Sequence, residues 1–282
     1  MFGADRDVGW VKLCTWPTQH RRVLPSLALA LTFLLALTIA PPAHAQSTTP
    51  VVAAASDLQF ALVEVADAFQ ASTGKSVRLT FGSSGNFARQ IRQSAPFDVF
   101  FSADESYIQD LARDGFLRDA GALYAIGRIV LLVPNGSTLK LDPTLADLAA
   151  ALGDGRLRKF AIANPEHAPY GRAAEQVLRH AGLWDAIRDR LVLGENVSQA
   201  AQFVTSGNAQ GGIVAQSLAL SPRIAALGGH ALIPADWHAP LRQRMGLTRT
   251  AGTVAEQFYA FASSPAARTI LRKYGFVLPN EI

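Results

Sequence analysis

The chain has 282 residues, with 26 Lys and Arg against 22 Asp and Glu and a formal net charge of +4 at pH 7. Because this charge is small and no run of like charges occurs, the composition argues against nucleic-acid binding. The single cysteine, Cys14, excludes an internal disulfide framework.

Residues 1–45 have the pattern of a secretory signal peptide. Arg21 and Arg22 precede an apolar run at 23–40, and Ala43-His44-Ala45 forms a small-residue cleavage site. Prolines within and directly after the apolar run favour a cleaved signal over a permanent membrane span. Removing the segment takes away four basic and two acidic residues, so the net charge falls to +2. We therefore expect an exported chain that carries no thiol.

The first third of the remaining chain alternates strand and helix patterns. Short apolar or alternating runs predict strands at 51–55, 77–81 and 97–102. Amphipathic stretches predict helices from Ser56 to Gly74, at 87–93 and from Asp104 to near Gly115. This order favours a parallel sheet covered by helices, in which ligands bind beyond the carboxyl ends of the strands.

The rest of the chain repeats this alternation after a long β-like run at 124–133. We predict strands at 160–163, 191–193 and 212–215, helices at 171–181 and 197–206, an extended run at 241–248 and closing helices at 254–262 and 265–274. The pattern predicts two α/β lobes with a cleft between them, each a mainly parallel sheet covered by helices and joined by hinge strands. The predicted boundaries are 46–131 and 246–282 for lobe I and 132–245 for lobe II.

Four junctions between strands and helices carry the candidate ligand groups. They are the Ser56-Asp57 turn, the Gly82-Ser83-Ser84-Gly85 loop, the loop at 164–171 and the turn at 195–198. Glycine lets a backbone approach a ligand, and the first turn of a helix leaves N–H donors unpaired, which suits an anion. The serine loop contains no Lys or Arg, so neutral hydrogen bonds are expected there. Each turn alone also fits a structural role, such as a helix N-cap at Ser56 that stabilises by ~1 kcal/mol.

Five segments together give the chain a family resemblance. They are AAASD (53–57), FGSSGNFARQI (81–91), APFDVFFSAD (95–104), NPEHAPYG (164–171) and KYGFVLP (273–279). In order and spacing they resemble the periplasmic molybdate-binding proteins of ABC importers, within the two-lobed (type II-like) solute-binding protein superfamily. The resemblance implies a monomeric periplasmic protein that is not an enzyme and needs no cofactor. Its partners would be an ABC permease and its ATPase in the inner membrane, and its ligand molybdate or tungstate.

The resemblance also implies which residues hold the oxyanion. The family's ligand serines match Ser56 and Ser84, and the backbone donor before the second-lobe helix matches Val197. The contact in the proline loop matches Tyr170, which could add its hydroxyl. Members with a small residue in that loop carry a tyrosine after the GIV strand, where this chain has Ala215. The resemblance implies no bond between the protein and molybdenum itself.

Asp57 raises the question of ligand charge, because a carboxylate facing a dianion would be repelled at short range. We expect its backbone N–H to face the ligand, with the side chain turned away from the cleft. If the side chain faces the cleft instead, it would favour a protonated oxyanion such as hydrogen phosphate.

Two other functions remain open from the sequence. One keeps the fold and binds sulfate or phosphate. The other is a secreted serine hydrolase with Ser84 or Ser56 as nucleophile and His167 as base, although neither serine has the G-x-S-x-G spacing. For His167 we expect a plain loop histidine that is hydrogen-bonded to backbone.

Overall fold

The computed structural model describes residues 49–281, so the predicted signal peptide at 1–45 lies outside the described residues. The strands are β1 Val51–Ala55, β2 Arg78–Gly82, β3 Val99–Ser102, β4 Ala122–Gly127, β5 Ile129–Pro134, β6 Phe160–Ala163, β7 Leu191–Gly194, β8 Gly211–Ala215, β9 Gly228–Leu232 and β10 Leu241–Leu247. The helices are α1 Ala61–Thr73, α2 Ser84–Arg92, α3 Glu105–Arg113, α4 Ala146–Gly153, α5 Pro169–His180, α6 Trp184–Ile187, α7 Val197–Thr205, α8 Gln216–Ala219, α9 Pro222–Ala225, α10 Thr253–Phe261 and α11 Pro265–Lys273.

Two five-stranded sheets form the cores of two lobes. The first has the order β2-β1-β3-β10-β4, and the second has the order β7-β6-β8-β5-β9. In the first sheet β1 pairs in parallel with β2 and β3, while β10 runs antiparallel to β3 and β4. In the second, β6 pairs in parallel with β7 and β8, while β5 runs antiparallel to β8 and β9. The predicted two-lobed α/β fold is confirmed, and both sheets are mixed rather than mainly parallel because the crossing strands run antiparallel.

The chain passes between the lobes at Arg128, between β4 and β5, and again between β9 and β10. When each strand is assigned to the lobe of its sheet, the lobe boundaries differ from the predicted ones. The predicted boundary between residues 131 and 132 lies inside β5, and the one between residues 245 and 246 lies inside β10. The run at 124–133 is β-like throughout, so its sequence gives no signal for the residue at which the chain leaves one sheet. The β9 strand and helix α4 also had no predicted counterpart.

Helix α1 shows how apolar periodicity places a helix on its sheet. Leu62, Val65 and Phe69 repeat at helical spacing, and each is at most 2% exposed. The Phe69 ring packs edge-on against Phe258 of α10, with the ring centroids 5.3 Å apart. This core holds the carboxyl end of β1, and the Ser56 turn that follows it, in a fixed position.

Helix α1 begins at Ala61, after a separate 3-10 turn at Ser56–Leu58. Helix α2 begins at Ser84 rather than at Phe87, and α5 begins at Pro169, which puts Tyr170 in its first turn. With Val197 first in α7, four predicted ligand residues therefore lie at the starts of helical turns. Within residues 49–281, no helix has the length and apolar character needed to cross a membrane.

Candidate functional site

A small cavity lies where the four predicted turns meet at the facing edges of the two lobes. Its lining includes all five predicted site residues: Ser56, Asp57, Ser84, Tyr170 and Val197. The empty volume is about 180 Å³. That volume includes space open to solvent, and the centre of a water-sized sphere can occupy only about 10 Å³ of it, which is room for about one water molecule. None of the described lining residues is Lys, Arg or His.

Ser84 lies at the first position of α2 and is fully buried. Its Oγ accepts a hydrogen bond from the backbone N–H of Ala103 at 3.0 Å. A serine hydroxyl has one proton to donate, and this bond leaves that proton uncommitted. The Ala103 amide therefore fixes the oxygen while the proton stays available to an acceptor in the cavity.

Ser56 has the same arrangement across the lobes. Its Oγ accepts from the backbone N–H of Ser198 at 3.2 Å. The helical turn that starts at Ser56 has no side-chain cap, so the structural alternative of an N-cap serine does not hold. Both serines thus receive a backbone donor and keep their own proton for a ligand.

Helix α7 contributes the backbone N–H of Val197. Asn196 caps this helix, and its side chain accepts from the N–H of Gln199 at 3.0 Å. The N–H of Ser198 is used by Ser56. Since an N-terminal residue has no acceptor within its own helix, Val197 is left with a free donor at the cavity wall. The starts of α2 and α5 lie at the same cavity, and three positive helix ends favour an anion.

Asp57 is buried at the floor of the cavity, only 1% exposed. Its Oδ2 accepts from the Tyr170 hydroxyl at 3.0 Å and from Gln243 Nε2 at 2.7 Å. The pKa of the carboxyl is raised from 3.8 to about 6 because burial outweighs the hydrogen bonds from Gln243, Tyr170 and the backbone, which lower it. Tyr170 and Gln243 therefore hold the carboxyl buried at the lobe boundary, and the side chain does not turn out to solvent.

The Tyr170 hydroxyl is committed to Asp57 rather than free for a ligand. Its oxygen also accepts from Gln243 Nε2 at 3.0 Å, and Gln243 Oε1 accepts from the Tyr124 hydroxyl at 2.7 Å. In this arrangement Tyr170 offers the cavity its backbone N–H in the first turn of α5. The four side chains of Asp57, Tyr170, Gln243 and Tyr124 are called the floor cluster below.

Gln243 is the residue that the sequence interpretation missed. It lies on β10 and is fully buried. Alternation along this strand places Leu241, Gln243 and Met245 at the buried positions. A glutamine at a buried position between two apolar residues is the sequence feature that could have indicated a buried polar contact. A buried polar side chain requires hydrogen-bond partners, which the floor cluster supplies.

Two glycines allow the close approach of the lobes. A Cβ on Gly127 would lie 2.3 Å from the Tyr170 hydroxyl oxygen and 2.7 Å from Gln243 Nε2. A Cβ on Gly85 would lie 2.6 Å from the carbonyl oxygen of His167. The Gly85 N–H donates to that same carbonyl at 3.0 Å, so the serine loop of one lobe is bonded directly to the proline loop of the other.

His167 lies beside the cavity but does not pair with either candidate nucleophile. Its Nδ1 is 2.9 Å from Ser83 Oγ, whereas Ser84 Oγ is bonded to the Ala103 amide. The expected bond from the histidine ring to backbone is replaced by this bond to Ser83. The dyad required by the hydrolase alternative, between His167 and Ser84 or Ser56, is thus not formed in this arrangement.

A larger and more open hollow lies on the second lobe, with an empty volume of about 930 Å³ around Arg156, Arg158 and Lys159. Arg156 there is already held by Asp147 and Asp154. No helix begins in this hollow, so it lacks the converging backbone donors of the smaller cavity. Within residues 49–281, no cluster of His, Cys, Asp and Glu could hold a metal ion.

The fold and the cavity define a two-lobed binding protein for a small ligand. The sequence profile of the bacterial extracellular solute-binding proteins matches residues 50–277. The molybdate-binding protein ModA of Rhodobacter capsulatus is 34% identical over 264 residues, which cover 92% of this chain and 99% of the relative. The chain therefore belongs to the bacterial extracellular solute-binding proteins, and it is the solute-binding component of an ABC importer.

Solved structures agree with this placement. The periplasmic molybdate-binding protein of Azotobacter vinelandii superimposes with a TM-score of 0.73 at 34% identity, covering 82% of this chain and 99% of that one. The sulfate-binding protein SubI of Mycobacterium tuberculosis H37Rv superimposes with a TM-score of 0.67 at 16% identity, covering 83% and 88%. The second likeness shows only a shared fold.

Proposed function

We propose that this protein captures molybdate, and also tungstate, in the cavity between its lobes. The observation that carries the proposal is the convergence of neutral donors from both lobes on one small buried cavity. Ser56 and Ser84 each keep a hydroxyl proton for the ligand, and Val197 keeps an N–H. The relatives named molybdate-binding proteins support this choice of anion.

Neutral donors suit an anion that must be released again. Hydrogen bonds to a charged partner are stronger than neutral ones, and a cavity closed to water strengthens them further. Lobe closure would bring the donors of α7 and the proline loop onto an anion first held by the serine turns. Molybdenum would be held only through its oxygens, without a direct bond to the protein.

The family placement also supports a proposal for the cellular setting. Solute-binding proteins of ABC importers deliver their ligand to a membrane permease and its ATPase. We propose that this chain does so in the periplasm as a monomer, after removal of residues 1–45, and that it carries out no catalysis and uses no cofactor. Sulfate or phosphate is the second candidate ligand, because the same neutral donors would hold either anion and a carboxyl at the cavity suits a protonated oxyanion such as hydrogen phosphate.

Isothermal titration of the mature chain with molybdate, tungstate, sulfate and phosphate tests the choice of ligand. We expect saturable heats with molybdate and tungstate and much weaker binding of the other two. Tight binding of sulfate or phosphate with no heat from molybdate would overturn the proposal.

Substitution of the serines tests the location of the site. Ser84→Ala and Ser56→Ala each remove one donor to a charged ligand, so we expect the Kd for molybdate to rise by roughly 10- to 100-fold in each variant. Ser72→Ala changes an exposed serine on α1 and serves as the control. Unchanged affinity in both cavity variants would mean that the ligand binds elsewhere.

A further inference from the structure

The carboxyl of Asp57 has one oxygen that the protein leaves without a partner. Oδ2 accepts two hydrogen bonds, from Tyr170 and from Gln243, whereas the buried Oδ1 makes no hydrogen bond of good geometry among residues 49–281. The backbone N–H groups of Asp57 and Leu58 lie near enough to the carboxyl to lower its pKa, but they leave Oδ1 without an aligned donor. Asp57 also lines the cavity. A buried polar atom without a hydrogen-bond partner is unusual in a native protein. Such an atom in a cavity wall indicates that a bound ligand supplies the missing partner.

Among residues 49–281, none that contacts Asp57 carries a positive charge. The titratable groups that face it are Tyr170 from α5 and Tyr124 from β4, and burial raises the pKa of both phenols well above their usual value. Gln243 from β10 is neutral, and the Ser217 hydroxyl of α8 donates to the backbone oxygen of Asp57 at 2.7 Å. An ionised Asp57 would therefore face an incoming anion without any neutralising partner.

We propose that Asp57 takes up one proton from solvent when the oxyanion binds, and that the new Oδ1–H donates a hydrogen bond to an anion oxygen. This inference rests on the proposed function. A proton from water forms the O–H bond, and no other covalent bond changes. Oδ2 keeps its two donors, so the proton belongs on Oδ1. The neutral carboxyl then becomes a donor like the two serines.

Proton uptake makes the affinity depend on pH in a defined direction. The pKa of Asp57 in the structure without ligand is about 6. Below that pH the carboxyl already carries its proton, so the Kd is constant. Above it each binding event must first protonate Asp57, so the Kd rises by up to about tenfold per pH unit.

Titration calorimetry of the mature protein with molybdate in buffers of different ionisation enthalpy tests this proposal. Between about pH 6.5 and 8.5 we expect close to one proton taken up per anion and a Kd that rises with pH. Asp57→Asn replaces the carboxyl by a permanently neutral amide donor of the same shape. In that variant we expect no proton uptake and a Kd that is independent of pH.

His167→Asn serves as the matched control because the His167 ring is a titratable group that contacts Ser83 in the cavity wall. This variant should keep the uptake of one proton. Binding of molybdate by the unmodified protein without proton uptake would overturn the inference and leave the proposed function intact. Loss of the pH dependence in His167→Asn but not in Asp57→Asn would also overturn it. Absence of any molybdate heat in the unmodified protein would remove the proposed function, and this inference with it.

Discussion

Strand β10 presents neighbouring residues to two carboxyl groups that behave in opposite ways. Gln243 donates to Asp57 Oδ2 at 2.7 Å in the floor cluster. The residues on either side of it, Arg242 and Arg244, both contact Glu105 on α3, with Arg244 at 3.0 Å from Oε2. Because successive side chains of a strand point to opposite faces, one strand gives one carboxyl a neutral amide and the other two guanidinium groups.

The two carboxyls differ in burial as well as in partner charge. Asp57 is 1% exposed, and burial raises its pKa to about 6. The Glu105 side chain is 20% exposed, and although partial burial raises its pKa, the hydrogen bonds and charges of Arg242 and Arg244 lower it overall. The comparison shows how neighbouring residues of β10 contact two carboxyl groups that favour different protonation states. Deep burial beside the neutral Gln243 favours the protonated form of Asp57, whereas Arg242 and Arg244 favour the ionised form of Glu105.

The largest expected effect on stability comes from removing Gln243, the neutral partner of Asp57. Gln243→Ala leaves the Tyr124 hydroxyl without its acceptor and removes one donor from Asp57. We expect a loss of about 2–4 kcal/mol in the free energy of unfolding, because buried polar groups lose their partners and a cavity forms. Urea unfolding at neutral pH measures it. The same substitution at the exposed Gln257 is the control, and equal losses in the two variants would contradict the role given to the floor cluster.

The pH dependence of stability sharpens the comparison by its sign. The Asp57 carboxyl has a pKa of about 6 in the folded protein against an ordinary value of 3.8, so the folded chain binds more protons between these two pH values. The free energy of unfolding should therefore fall by about 3 kcal/mol from this residue as the pH rises through that window. Asp57→Asn should remove that fall. Unfolding curves across this window measure it, and an unchanged pH profile in the variant would refute the assignment.

A third variant tests whether the floor cluster needs the space beside it. Gly127→Ala places a methyl group against Tyr170 and Gln243, at the distances given above, so the cluster must shift. We expect a destabilisation of about 1–3 kcal/mol from overpacking. Gly153→Ala is the control, because a Cβ at that helical position meets nothing within 4 Å. Equal thermal stability of the two variants would show that the cluster can move at no cost.

The local parts of this site could be predicted from the sequence. Helical spacing identified the buried face of α1. The turns that end β1 and β2 and those that precede α5 and α7 had visible serines, prolines or caps, and the structure brings Ser56, Ser84, Tyr170 and Val197 to one cavity. These features depend on residues close in the chain, where propensity and periodicity act.

The floor cluster could not be predicted in the same way. Gln243 and Asp57 are 186 residues apart in the chain, and their contact exists only because β10 returns to the first sheet. The burial of the Asp57 side chain could not be predicted for the same reason, since an acid in the first turn of a helix normally faces solvent. A long-range partner and deep burial outweighed that local preference.

The smallest expected effect on stability comes from removing the charge of Glu105, the carboxylate that two arginines hold. Glu105→Gln removes the carboxylate that Arg242 and Arg244 share, but the group is partly exposed, so we expect a loss of only about 0.5–1 kcal/mol at neutral pH. The pKa of Glu105 is lowered from 4.5 in the folded protein, so its contribution is present above that value and disappears as the pH falls through the folded pKa. The stability difference between the unmodified protein and the variant should therefore shrink in acid, opposite in sign to the effect of Asp57. It should also shrink in high salt, which screens exposed charges. Urea unfolding at several pH values and salt concentrations measures both trends. A difference that grows in acid would mean that the two guanidinium groups do not hold Glu105 in its ionised form.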